Sequence, residues 1–187
     1  MALQSLVRSQ RVVAALAAAL LVLAGLTSCS PVRKGITGLT VDVDGTPLAA
    51  VAWCAERPPD VVALLTEPGA VSPASSGIAT PSPIWTSALL VHRSYAVPRE
   101  ATSPTTVPLV DFPRQSATDP DAAFRMYAAA EDNSFTSVPV YFRLGELAVL
   151  KPGSVIITAW NNGDQVQQSI TLEELARRVH DLGECAP

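Results

Sequence analysis

The sequence predicts a mainly β fold, an antiparallel sandwich or partly open barrel of about seven or eight strands with one α-helix at its C-terminal end. Three observations carry that expectation. Apolar and polar residues alternate in several short runs, the period at which a strand turns one face to a core. Turn pairs able to take positive φ, Asp44-Gly45 and Asn162-Gly163, separate such runs. A convincing apolar stripe at helical spacing is confined to the end of the chain, from Leu172 to Leu182.

The first strand is expected from Gly38, where Leu39, Val41 and Val43 alternate with Thr40, Asp42 and Asp44. Asp44-Gly45 turns the chain into a second strand, Leu48 to Cys54, completing a hairpin. Pro58-Pro59 interrupts the pattern, and the run Val61 to Leu65 is long enough for a strand but too short for a helix. Between Glu67 and Pro83, four prolines (68, 73, 81 and 83) deny the backbone ladder or helical hydrogen bonds, so a long loop is expected. Ile84 to His92 reads as the next strand. A second proline-spaced stretch, Pro98 to Pro108, and a short apolar run, Leu109 to Phe112, follow it.

Ala122 to Ala130 fits two patterns. Asp119-Pro120-Asp121 could cap a helix, whereas Phe124, Met126 and Ala128 lie on one face of a strand. The neighbouring segment favours the strand: Asp132-Asn133-Ser134 is turn chemistry, and Val138, Val140 and Phe142 alternate behind it, together a hairpin. Leu144 to Leu150 supplies one helical turn, ended by Lys151-Pro152-Gly153. Val155 to Trp160 and Gln165 to Ile170 then form the last hairpin. In the final helix Thr171 and Glu174 stand in capping-box relation, Leu172, Leu175, Ala176, Val179 and Leu182 make the apolar stripe, and Gly183 is the stop.

Ahead of these elements lies a segment of a different kind. Arg8 and Arg11 precede an uncharged apolar run from Val12 to Leu26, followed by Thr27-Ser28-Cys29-Ser30. A charged start, an apolar centre and small residues at the end make the layout of an export signal, and the run is shorter than the roughly 20 apolar residues a spanning helix needs. Leu26-Thr27-Ser28-Cys29 resembles the bacterial lipobox, in which the cysteine thiol takes a diacylglycerol and becomes the new N-terminus. The resemblance implies a signal peptide over residues 1–28, lipidation at Cys29, a lipidated N-terminus and tether over 29–37, and a single β-rich extracytoplasmic domain over 38–187. Two or three acyl chains exceed the marginal holding power of one, each buried CH₂ contributing about 0.8 kcal/mol.

Arg8 and Arg11 are the only charges before Cys29, so cleavage leaves 11 basic and 17 acidic residues of the chain's 13 and 17, a net charge of −6. That balance disfavours nucleic acid and anionic lipid surfaces as partners. With Cys29 acylated, two thiols remain, Cys54 and Cys185, in a chain that leaves the reducing cytosol, and a disulfide between them is expected. Neither has a second Cys or a His at ligand spacing, so no metal site and no cofactor is expected.

No catalytic signature stands in the chain: no nucleophile elbow, P-loop, zinc-protease helix or dinucleotide fingerprint. The only histidines are His92, near Ser94 at a strand end, and His180, in the last turns of the helix, where a cation suits the dipole. The close carboxylates, Asp42 with Asp44 and Glu131 with Asp132, fall at turns, where charge is ordinarily solvated. Trp53, Trp85 and Trp160 are expected to fill the core unless they gather into an exposed binding cluster.

The Asp-Gly hairpin, the stretch from Phe142 to Val155 and the Cys-bearing end are similar to those of small lipoproteins of GC-rich bacteria, a likeness that brings no activity with it. The expectation is therefore a membrane-anchored extracytoplasmic lipoprotein, non-enzymatic, binding an envelope protein or cell-wall ligand. The alternative is an exported hydrolase using carboxylates or a lone His.

Overall fold

In the computed structural model, residues 30–66, 90–112, 120–161 and 164–185 are described. The signal segment, Cys29, the proline-rich loop 67–83, Trp85 with the first part of its expected strand, and the Asn162-Gly163 turn lie outside them. Ten strands and two short helices follow in chain order: β1 (Val32–Val41), β2 (Pro47–Trp53), β3 (Val61–Thr66), β4 (Leu90–Ala96), β5 (Thr105–Pro108), β6 (Ala123–Ala129), β7 (Phe135–Val138), β8 (Val140–Arg143), α1 (Leu144–Leu147), β9 (Ser154–Asn161), β10 (Asp164–Thr171) and α2 (Leu172–Arg178). Two 3-10 turns, Val179–Asp181 and Gly183–Cys185, close the described chain.

The strands form a single, nearly closed, barrel-like sheet. Its wall runs β5-β2-β1-β7-β6-β3-β4, with β8 also on β6 and the β9–β10 hairpin joined to β1. The ends of this wall approach one another where Arg93 on β4 pairs with Asp111 beyond β5 at 3.3 Å.

Alternation fills the interior. Leu39, Val41, Ala49, Val51, Val62, Leu64, Phe124, Met126, Val140 and Phe142 are all buried there. Phe124 stacks on Phe142 with ring centroids 5.5 Å apart, and Phe112 tilts against Phe124 at 5.4 Å. Each of the larger of these side chains contributes about 1.5–3 kcal/mol on leaving water, enough to make the inner face the dominant stabilising surface. β1 and β2 are buried on their outer face as well, where Ile36, Ala50 and Ala52 meet Val155, Ile157, Leu175 and Val179. The small residues of β2 let β9 and α2 lie close above it.

The expected elements are observed with differences at several places. β1 begins at Val32 rather than Gly38, because Val32–Ile36 pairs alongside β7 through its backbone and needs no alternation to do so. That pairing is parallel, the one parallel ladder among the described residues; β1 and β7 are joined by no hairpin, so nothing fixes their direction as antiparallel. The proline-spaced stretch contains β5, which pairs with β2 over Thr105–Pro108; Ser103 Oγ accepts the Trp53 N–H at 2.9 Å and ties this stretch to the end of β2. The short apolar run Leu109–Phe112 forms a turn, the Phe112 N–H donating to the Leu109 carbonyl at 3.0 Å. Finally, the single strand expected around Val138–Phe142 is two strands. Pro139 cannot donate to a ladder, and it stands where the chain leaves β1 (Ile36↔Val138) and joins β6 (Met126↔Val140).

The first turn and the start of the last helix are observed as expected, but that helix ends at Arg178 and Gly183, expected as its stop, opens a 3-10 turn instead. Gly45 takes φ 76° at the first hairpin, where Asp42 Oδ1 accepts the N–H groups of Asp44 and Thr46. β9 and β10 pair over eight consecutive positions. Thr171 caps α2 by accepting the Glu174 N–H at 3.1 Å, while the Glu174 carboxylate turns to Arg177 and Arg178 instead of completing the box.

Candidate binding face

The residues singled out by chemistry do not assemble. His180 and Ser94 are exposed, on a 3-10 turn and on β4 respectively, and the side chain of His92 lies outside the described residues. Asp42 holds its own turn together. Asp132 accepts from Ser134 and pairs with Arg57; hydrogen bonds from Ser134, then the Arg57 charge, hold its carboxyl below the usual range. Among the described residues no group of three or more His, Cys, Asp and Glu side chains could hold a metal.

Cys54 and Cys185 form a disulfide, with Cα atoms 5.7 Å apart. It joins the end of β2 to the last turn of the described chain, so the cover formed by α2 is tied down at its far end. Beside it lies an open basin of about 750 Å³ lined by Lys34, Glu56, Arg57, Ser134 and Glu184 among others. Its charges offset each other, and Arg57 is occupied by Asp60 and Asp132. A smaller hollow of about 400 Å³ at the barrel end lies between the Asp44-Gly45 turn and Leu144, Leu147 and Leu150.

Of the tryptophans, Trp53 fills the core, whereas Trp160 is 60% exposed near the end of β9. The denser aromatic feature lies on the outer face of β6 and β8. Because Phe124, Met126 and Ala128 point inward, Arg125 and Tyr127 point outward, and the register sets Tyr141 of β8 directly opposite Arg125. The Arg125 guanidinium carbon stands 5.4 Å from the centroid of the Tyr127 ring and 5.7 Å from that of Tyr141. All three side chains are half-buried.

Two cation–π contacts hold the guanidinium in place, each contributing about 0.5–1 kcal/mol or more as water is excluded. They do not satisfy its donors. Arg125 Nε is buried and has no hydrogen-bond partner, and among the described residues no carboxylate pairs with Arg125. Its outward neighbour on β8, Arg143, is by contrast bound to Asp121 at 3.5 Å and to the Asp121 carbonyl at 3.3 Å. Tyr141 is fixed from below, its N–H donating to Thr158 Oγ1 at 2.9 Å and its carbonyl accepting from Gln167 Nε2 at 2.9 Å. The face is thus a strand-borne mount for one guanidinium that has no carboxylate partner among the described residues.

Arg125 and Tyr127 were not singled out from the sequence; the signal that points to them is the alternation of Phe124, Met126 and Ala128 on one face, which leaves them on the other. What it did not contain was the β6–β8 register, which alone brings Tyr141 to them. No protein-family model matches this chain, and neither a curated protein nor a solved structure matches it.

Proposed function

We propose that this chain is a membrane-anchored extracytoplasmic lipoprotein whose barrel binds a partner in the cell envelope through the outer face of β6 and β8. Cys29 carries the lipid and the first 28 residues are its signal. The reading is supported by the Leu26-Thr27-Ser28-Cys29 pattern, by the Cys54–Cys185 disulfide, which suits an oxidising compartment, and by the net acidity of the chain after cleavage. The observation that carries it is the half-buried Arg125, in cation–π contact with Tyr127 and Tyr141 and without a carboxylate partner among the described residues. An arginine with two tyrosines is the composition of interface hot spots, and a strand-borne guanidinium without a carboxylate partner among the described residues is a donor placed for a partner.

Crosslinking in intact cells tests this reading. Wild type, Cys29→Ala and Arg125→Ala are compared: a defined crosslinked partner should be present in the first and lost in the other two. A pattern identical in all three contradicts it.

A further inference from the structure

We infer that the Arg125 site takes a single carboxylate presented by a polypeptide beside an apolar side chain; this rests on the binding reading above and names the ligand class of that site. Three features of the face define the chemistry.

The first is charge count. Arg143, the other guanidinium on this face, is already neutralised by Asp121, so the described residues here leave one positive charge uncompensated. One such cation on a chain whose net charge after cleavage is −6 matches one anionic group. A polyanion such as a nucleic acid or a phosphate polymer would meet repulsion from the rest of the surface.

The second is geometry. Nε is buried and Arg125 as a whole is half-buried, so the ligand is assigned to the pair of Nη groups, whose two parallel donors match the spacing of carboxylate oxygens. The cation–π contacts with Tyr127 and Tyr141, 5.4 and 5.7 Å from the guanidinium carbon to the ring centroids, hold the group near this spot before any ligand arrives. A lysine could supply the charge but neither the plane nor the paired donors.

The third is the surround. The carboxylate would lie among half-buried tyrosine rings, whose exposed parts are complementary to an aromatic or aliphatic side chain next to the acid. A bare inorganic anion uses none of that surface.

The test is titration of the purified full-length chain, followed by NMR of the tyrosine rings and arginine Nε–H groups. The probes are acetyl-Phe-Glu-Gly amide, its neutral Gln counterpart, the Gln peptide with a free C-terminal carboxylate, and inorganic phosphate. At least one acidic peptide should bind tenfold or more tighter than the neutral amide. Which one does so distinguishes a side-chain from a chain-terminal carboxylate. Phosphate should bind more weakly than that peptide, and Arg125→Lys, which keeps the charge, should lose at least fivefold. Equal binding of acidic and neutral peptides, phosphate binding as tightly as the acidic peptide, or an unchanged Arg125→Lys would each overturn the assignment. If the peptides fail while the cellular crosslink still depends on Arg125, the ligand class is wrong and the binding reading stands. If the crosslink is indifferent to Arg125, both fall.

Discussion

Thr37 Oγ1 and Ser137 Oγ lie 2.6 Å apart in the interior, and both accept the Ala128 N–H, at 3.1 and 2.8 Å. The arrangement has a cause in the ladder. β6 pairs with β7 at Ala129 and with β8 up to Met126, so on that edge Ala128 has no strand partner and its donor would be orphaned. Thr136 Oγ1 likewise donates to the Ala128 carbonyl at 3.1 Å. Side chains here replace a missing rung.

Because either hydroxyl alone can accept that N–H, Thr37→Val and Ser137→Ala should each destabilise by about 1 kcal/mol or less. The double substitution, which orphans the donor, should cost about 1–3 kcal/mol beyond their sum. A denaturant double-mutant cycle reads this directly, and strict additivity would contradict the shared-acceptor role.

Gly38 is the point where β9 crosses closest to β1. A Cβ there would collide with Val155 Cγ1 and lie 2.9 Å from the Ile156 carbonyl oxygen. Gly38→Ala should therefore destabilise by about 1–3 kcal/mol, although alanine is the better residue for an ordinary strand. Gly183, which has open space around it, should accept alanine with little change in urea midpoint.

The disulfide closes a long segment, 131 residues apart in sequence, and holds down the cover formed by Leu175 and Val179 over the outer face of β1 and β2. Replacing both Cys54 and Cys185 by alanine should cost about 2–4 kcal/mol. Hydrogen exchange should show α2 opening before the barrel wall. A variant with wild-type stability in urea would show that the cross-link adds nothing to the fold.

Tyr95 is buried, its hydroxyl has no hydrogen-bond partner, and burial raises its pKa above the ordinary phenol value of 10.0. An acid with a raised folded pKa binds its proton more tightly in the native state, so stability falls as pH climbs through the unfolded value near 10.0. Tyr95→Phe should remove that alkaline loss and raise stability at neutral pH by about 1 kcal/mol, since a desolvated hydroxyl disappears. At the acid end the sign reverses. Asp132 and Glu174 have depressed pKa values, Glu174 chiefly through its hydrogen bond from Arg178, so their contributions are complete above pH 4.5 and fade as pH falls further. Thermal melts across both ranges check the two signs.

Local rules reached far into this fold. The alternation of Leu39 and Val41, the positive φ of Gly45, the Thr171 cap and the choice of strand for Ala123–Ala129 all depend on neighbours a few residues away, and all were readable. The pairing of Cys54 with Cys185 followed from counting thiols. The parallel β1–β7 ladder, the β5 strand among prolines and the split at Pro139 were not readable, since each is decided by a distant backbone rather than by periodicity. The candidate face was not readable for the same reason. Arg125 and Tyr127 are visible in sequence as outward residues of one strand, but nothing local tells that Tyr141 stands across from Arg125 and that no acid does.

The whole functional reading turns on where the chain is held, and intact-mass analysis of the protein extracted from its native membrane tests that most directly. The account predicts a product that starts at Cys29, lacks residues 1–28 and carries the added mass of a diacylglyceryl group on the thiol. A product with an unmodified Cys29, or one retaining the first 28 residues in the soluble cytosolic fraction, would contradict it.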